Sequence, residues 1–290
     1  MEHPYDRSAE DLGNIVNLGH LNLCIPDQVR GTSFYVSGLG MTRDPYMNTG
    51  ITNMWINVGM SQFHLPAGKP EHFRGVTALV VPDREQLLER LDRVKKELEG
   101  TEFSFRDTND AVETVCPWGN RLRCYGPDKE RFGPFILNMA YLEFDVRPGT
   151  APGIVRFYRE ILGAQAVLEQ NGSGPVAKVT VGAGQHFRFR ETDAPEAPYD
   201  GHHVQVYLCD FSGPYEKLKA RGLVFQESNQ HQYRFKDIVD LDTGAVLFTI
   251  DHELRSITHP MYGRPLVNRN AGQSVQRYRP GRDALAWSMD

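Results

Sequence analysis

The sequence predicts an α+β fold of four tandem β-α-β-β-β units in two duplicated halves, and three observations predict it. The stretches Phe34-Tyr35-Val36-Ser37-Gly38-Leu39-Gly40-Met41 and Phe157-Tyr158-Arg159-Glu160-Ile161-Leu162-Gly163-Ala164 both read F-Y-x-x-x-L-G-apolar and lie 123 residues apart (34 to 157). A repeat of that length marks duplicated domains. An apolar strand pattern followed by a helical one restarts four times along the chain. Finally, 290 residues with 40% hydrophobic and 24% charged side chains leave room for about two domains with ordinary cores.

In the first unit, residues 17–25 alternate as a half-buried strand does and stop at Pro26-Asp27. The next segment, to Gly40, reads as a short helix with Phe34, Tyr35 and Leu39 on its apolar face and Gly40 as C-cap residue. Three strands are expected at 42–46, 51–58 and 60–65, the first suited only to an edge because of Pro45. The second unit opens with residues 75–81, again closed by Pro-Asp (Pro82-Asp83). Leu87, Leu88, Leu91 and Val94 then give helical spacing over 84–98, with Gly100 as the stop. Strands follow at 102–106, 113–116 and 120–125, the last two turning at Trp118-Gly119.

The third unit opens at 138–146, carries the helix ending at Gly163, and finishes with strands at 176–181 and 185–190. The fourth begins at 202–208, has a short helix near 215–221 capped by Gly222, and ends with a strand at 245–250 after the turn Asp242-Thr243-Gly244. The halves are therefore expected at 15–130 and 134–252, with an N-terminal arm at 1–14. The tail, 253–290, is rich in Arg, Asn, Gly and Pro and reads as an extended arm over the surface, suited to a subunit contact in a homodimer.

A net charge of −5 argues against nucleic acid as the main partner. No apolar run approaches the roughly 18 residues of a membrane span, and the N-terminus has no apolar signal core. Cys24, Cys116, Cys124 and Cys209 lack C-x-x-C spacing, so buried reduced thiols and a cytoplasmic location are expected.

The opening strands H-L-N-L-C-I-P-D, V-T-A-L-V-V-P-D and Y-L-E-F-D-V, the two F-Y-x-x-x-L-G copies and the turn Pro117-Trp118-Gly119-Asn120-Arg121 resemble the vicinal oxygen chelate superfamily over residues 15–252. This group includes glyoxalase I, the extradiol dioxygenases and the bleomycin resistance proteins. The resemblance implies that the units form two glyoxalase/dioxygenase-like open-barrel halves around a cavity in which first and last strands present metal ligands, and a small oxygenated or aromatic substrate that chelates through two adjacent oxygens. The metal would be a divalent Fe, Mn, Zn or Ni ion. Carried over by position, the first-strand ligands fall at His20, Val76, Tyr141 and His203, and the last-strand ones at or near His64, Arg123, Phe187 and Phe248. Asn120-Arg121-Leu122-Arg123 stands where the family has an acidic ligand.

Three arrangements satisfy these positions. In one the metal site is degenerate, and the cavity works with His, Tyr141 and Arg123 alone; a guanidinium there suits a carboxylate or enolate. In another, units one and four pair and His20, His64 and His203 converge. In the third, the gapless count from Phe157 puts Glu143 opposite His20; a slip of two residues keeps the strand face, and His203 with Glu143 holds the ion. The duller readings stand beside these. His20 and His64 could face water, Arg123 could cover an outer face, and His186, Arg188 and Arg190 read as a solvated stripe. Gln62 and Gln185 suggest a structural hydrogen bond, Tyr35 and Tyr158 core positions, and His202 and His203 must point to opposite faces. The expected function is an enzyme of dioxygenase, lyase or isomerase type, with a metal-free binding protein of the bleomycin-resistance type as the alternative.

Overall fold

The computed structural model describes residues 5–47, 49–172, 174–269 and 276. Unit one comprises β1 (Ile15–Asn22), α1 (Gln28–Gly31, running on as a π-helical turn, Thr32–Gly38), β2 (Thr42–Arg43), β3 (Asn53–Val58) and β4 (Ser61–Pro66). Unit two comprises β5 (Gly75–Val80), α2 (Arg84–Arg93), β6 (Ser104–Asp107), β7 (Val112–Val115) and β8 (Arg121–Tyr125). After a short helix, α3 (Lys129–Phe132), come β9 (Asn138–Val146), α4 (Ala151–Glu160), β10 (Ala166–Asn171), β11 (Gly174–Gly182) and β12 (Gln185–Glu191) of unit three. Unit four has β13 (His203–Leu208), α5 (Ser212–Ala220), β14 (Val224–Asn229), β15 (Gln232–Val239) and β16 (Val246–Ser256).

The two Pro-Asp punctuations end a strand and start a helix at once. Asp27 Oδ1 accepts from the Val29 and Arg30 amides, and Asp83 Oδ1 accepts from that of Gln86, caps worth about 1 kcal/mol each. In both F-Y-x-x-x-L-G copies the aromatic pair is fully buried. The glycines Gly40 (φ 78°) and Gly163 (φ 65°) take the left-handed conformation that lets the chain leave the helix.

The sixteen strands form two eight-stranded sheets, ordered β14-β15-β16-β13-β1-β4-β3-β2 and β10-β11-β12-β9-β5-β8-β7-β6. Unit one therefore shares a sheet with unit four, and unit two with unit three. The division into consecutive halves 15–130 and 134–252 is corrected accordingly: each stretch contributes half of each sheet. Antiparallel seams, β1 on β13 and β5 on β9, join them. One hydrophobic cluster runs through both sheets and the helices. Gln185, fully buried, ties the sheets together, accepting from the Leu18 amide (3.1 Å) and donating to Ser61 Oγ (2.7 Å). Gln62 donates to Asp44 and Asn57.

Other boundaries differ from the sequence reading. Helix α2 stops at Arg93, where the Val94 amide turns to the carbonyls of Arg90 and Asp92 and the chain continues as turns. Strand β16 runs to Ser256, so the fourth unit extends past 252 into the stretch assigned to the tail. Cys209 is exposed, while Cys116 and Cys124 are buried and all four cysteines are free. Beyond Arg269 the tail lies, save for Gln276, outside the described residues. Among the described residues no helix is long and apolar enough to cross a membrane.

Candidate metal centre

Strand register brings three histidines onto one face. Asn22 of β1 pairs with His64 of β4 on one side and His203 of β13 on the other, and His20 lies two residues back on the same face. Diagonal neighbours of this kind are within reach of one another. A register shift in β1 between Leu18 and His20 adjusts the approach.

His20 Nε2 and His203 Nε2 are 3.2 Å apart, and the His20 and His64 rings meet edge-on with centroids 5.6 Å apart. One candidate ligand atom from each of the three falls within 4.8 Å of the others. Trp55, the cross-strand partner of His64, stacks on it at 3.9 Å and meets His20 edge-on at 5.0 Å, so the ring planes are set by packing.

Burial is the main force on the charges here. It drives the His20 imidazole well below its ordinary value, with Arg255 adding to the effect, and takes His64 down to about 3. His203 is lowered by burial as well, against the opposing pull of Glu253. All three rings are thus neutral near pH 7, the form that ligates metals. His64 Nε2 is buried and has no hydrogen-bond partner. Metal–nitrogen bonds of about 2.1 Å place adjacent ligand atoms about 3.0–3.4 Å apart, which the His20–His203 separation matches. The three side chains therefore fit a transition-metal ion.

Glu253 stands beside the cluster, its Oε2 3.5 Å from His203 Nε2. Arg234 (3.0 Å) and Arg255 (2.6 Å) hold its carboxylate, which stays ionised with a value lowered to about 2 through its bond to His203 and the two guanidiniums, against the cost of burial. Asp251, next along that face, is raised to about 6 by burial despite Arg234 at 3.6 Å. The sequence reading missed Glu253 and placed the last-strand position at or near Phe248. Phe248 faces the core, against Phe144 and Phe189. The usable signal was Asp251, Glu253 and Arg255 at i, i+2, i+4, a charged face on a strand.

The remaining sequence candidates lie on the other sheet. Tyr141 and Glu143 share one face of β9, both nearly buried. Tyr141 Oη lies 2.7 Å from Tyr125 Oη, and burial pushes its hydroxyl well above the ordinary tyrosine value. Glu143 is flanked by Arg188 and Arg190 at 3.4 Å and Arg123 at 3.9 Å, and Arg123 also reaches Glu113 at 3.3 Å. The pairing of His203 with Glu143 is therefore not formed: β13 and β9 belong to different sheets, and Glu143 is occupied by cations. Arg188 and Arg190 are ion-pairing residues, not a solvated stripe. His202 is fully buried, bonded to Asp200 at 2.8 Å, and turned away from His203.

The chain is similar in structure to a proposed dioxygenase from Bacillus subtilis subsp. subtilis str. 168, with TM-score 0.54, 13% identity, and coverage of 86% of this chain and 87% of that one. It is also similar to glyoxalase I from Zea mays (TM-score 0.51, 12% identity, 83% and 92% covered) and to a variant of that enzyme (TM-score 0.55, 13% identity, 83% and 92% covered). No protein-family model and no curated protein matches the sequence. Identities this low speak to the fold alone.

Proposed function

We propose that this chain, whose fold is that of the vicinal oxygen chelate superfamily, is a metal-dependent enzyme. It converts a small oxygenated metabolite by isomerase, lyase or dioxygenase chemistry. The observation that carries the reading is the convergence of three neutral imidazoles, one with a buried nitrogen left without a partner. His20, His64 and His203 would hold the ion, with Glu253 beside them as a fourth donor. A divalent ion held there would act as a Lewis acid on two adjacent substrate oxygens.

The protein's own groups do the rest. Trp55 fixes the orientation of His64. Arg234 and Arg255 keep Glu253 ionised and directed at the cluster, so that it accepts hydrogen bonds rather than donating them. Tyr207 lines the same cavity as His20 and, with its hydroxyl raised by burial, stays protonated and can donate to a developing oxyanion. A metal-free binding protein is the second reading. What favours it is that Glu253 already has two guanidinium partners, which compete with a cation for its oxygens.

Calorimetric titration of chelator-stripped protein with Zn²⁺, Ni²⁺ and Co²⁺ tests the proposal. One ion per chain is expected, and His64→Ala or His203→Ala should weaken binding at least about a hundredfold, since each removes one of few ligands. Wild-type protein that binds none of these ions would leave the metal-free reading.

A further inference from the structure

A cavity of about 380 Å³ opens beside His20, between the inner face of the first sheet and the segment that follows β16. Four polar atoms on its wall are buried and have no hydrogen-bond partner: Gln205 Nε2 and Oε1, and Arg264 Nε and Nη1. Gln205 is fully buried. Its amide sits in space left by Gly19, where an added Cβ would come within 1.8 Å of Gln205 Oε1. Arg264 arrives from outside the repeat and is fixed through Nη2, which donates to buried Asp44 at 2.7 Å. Leaving such groups unpaired is costly, about 1–3 kcal/mol for each buried donor or acceptor, so four on the wall of one cavity call for a polar partner there.

The charges point to the sign of that occupant. Arg234, Arg255 and Arg264 are matched by Asp251, Glu253 and Asp44, so the protein side of the site is balanced. A divalent cation at the histidines would leave an excess of two positive charges in a partly desolvated space, which favours an anionic ligand.

We propose that this wall is a carboxylate subsite. The substrate carries a carboxylate received by Arg264 and by the Gln205 amide nitrogen, with Gln205 Oε1 left to accept from a neighbouring substrate hydroxyl. Its two adjacent oxygens turn toward His20. The negative sign of the ligand and its two adjacent oxygens rest on the metal-dependent reading above; the unpaired donors of Arg264 and Gln205 do not.

Two titrations separate them. Metal-stripped protein is titrated with benzoate. Zinc-loaded protein is titrated with 3,4-dihydroxybenzoate and with catechol, probes that differ only by the carboxylate. Wild type should bind benzoate measurably and prefer 3,4-dihydroxybenzoate over catechol at least tenfold. Arg264→Gln, which keeps a donor for Asp44, should abolish both the benzoate binding and the preference while leaving zinc and catechol affinity unchanged. Gln205→Met, which leaves the Asp44 pair untouched, should lower both by several-fold and guards against a folding artefact. Zinc binding with benzoate affinity and carboxylate preference indifferent to both variants would overturn the subsite. Benzoate binding that depends on Arg264 in a protein that takes up no zinc would uphold the subsite and sink the metal reading.

Discussion

His252 lies one residue from Glu253 yet points the other way, into the core, stacked on Phe235 at 4.3 Å. Its Nδ1 is 2.8 Å from the Ile250 carbonyl, which makes Nδ1 the protonated nitrogen and leaves Nε2 to accept from Tyr158 Oη at 2.6 Å. Burial lowers the imidazole to about 3, against the small opposing effect of the Ile250 carbonyl. An unfolded histidine titrates near 6.5. Between those values the unfolded chain binds a proton that the folded chain refuses. The contribution is complete above about pH 6.5 and drains away as pH falls toward 3, the loss reaching about 2 kcal/mol by pH 5. His20 and His64 drain in the same direction, so the test is a difference. His252→Phe should be less stable than wild type at pH 7, because Tyr158 loses its partner, and should lose less stability on going from pH 7 to pH 5. Denaturant melts at the two pH values measure this; an equal loss in both proteins would show that His252 is protonated in the fold.

At the scale of elements, the segment after β16 acts as a strap across the site. Asn268, nearly buried, accepts from the Gly59 amide (3.0 Å) and donates to the Gly59 carbonyl (2.9 Å), while Asn57 Nδ2 donates to the Val267 carbonyl (2.8 Å). Tyr262 packs on Tyr207 with ring centroids 5.0 Å apart. Asn268→Ala removes two hydrogen bonds to the backbone of one buried residue, Gly59, and should cost roughly 2 kcal/mol. Faster exchange of the Gly59 amide and protease cleavage within 257–268 are the expected signs; unchanged exchange would mean that the strap is held elsewhere. The sequence announced this segment only as an arm over the surface, since its anchoring depends on asparagines about 210 positions from their partners. Strands β10, β14 and β15 were unread for a related reason: β14 is exposed almost throughout, and its polar residues carry no period-2 apolar signal. The histidines were legible because each sits on a first or last strand of a repeated unit. Glu253 was not, because β16 is 11 residues long and carries its charged face past residue 250, where the apolar strand pattern ends.

For the whole molecule, the informative fact is which units share a sheet. His20 and His64 come from the first unit and His203 and Glu253 from the last, joined across the β1–β13 seam. The sequence left three arrangements open because a repeat states what the units are and not which edges meet; the edges are chosen by long-range pairing. The site is therefore a property of the closed molecule. Cutting the chain between Gly133 and Pro134, next to the α3 helix, leaves two histidines on one piece and the third with Glu253 on the other. Each piece carries one strand of both seams, β1 and β5 on the first and β13 and β9 on the second. Those strands become open edges when the pieces are apart, and open edges pair readily. Co-expressed pieces should therefore reassemble, and the complex should bind metal one-to-one, as proposed for the intact chain. Neither piece alone should bind it with comparable affinity, because two imidazoles without the third lose most of the chelate. Size-exclusion chromatography with metal analysis of each piece and of the mixture decides the matter. Tight metal binding by the 1–133 piece alone would place the centre within the first two units and refute the shared site.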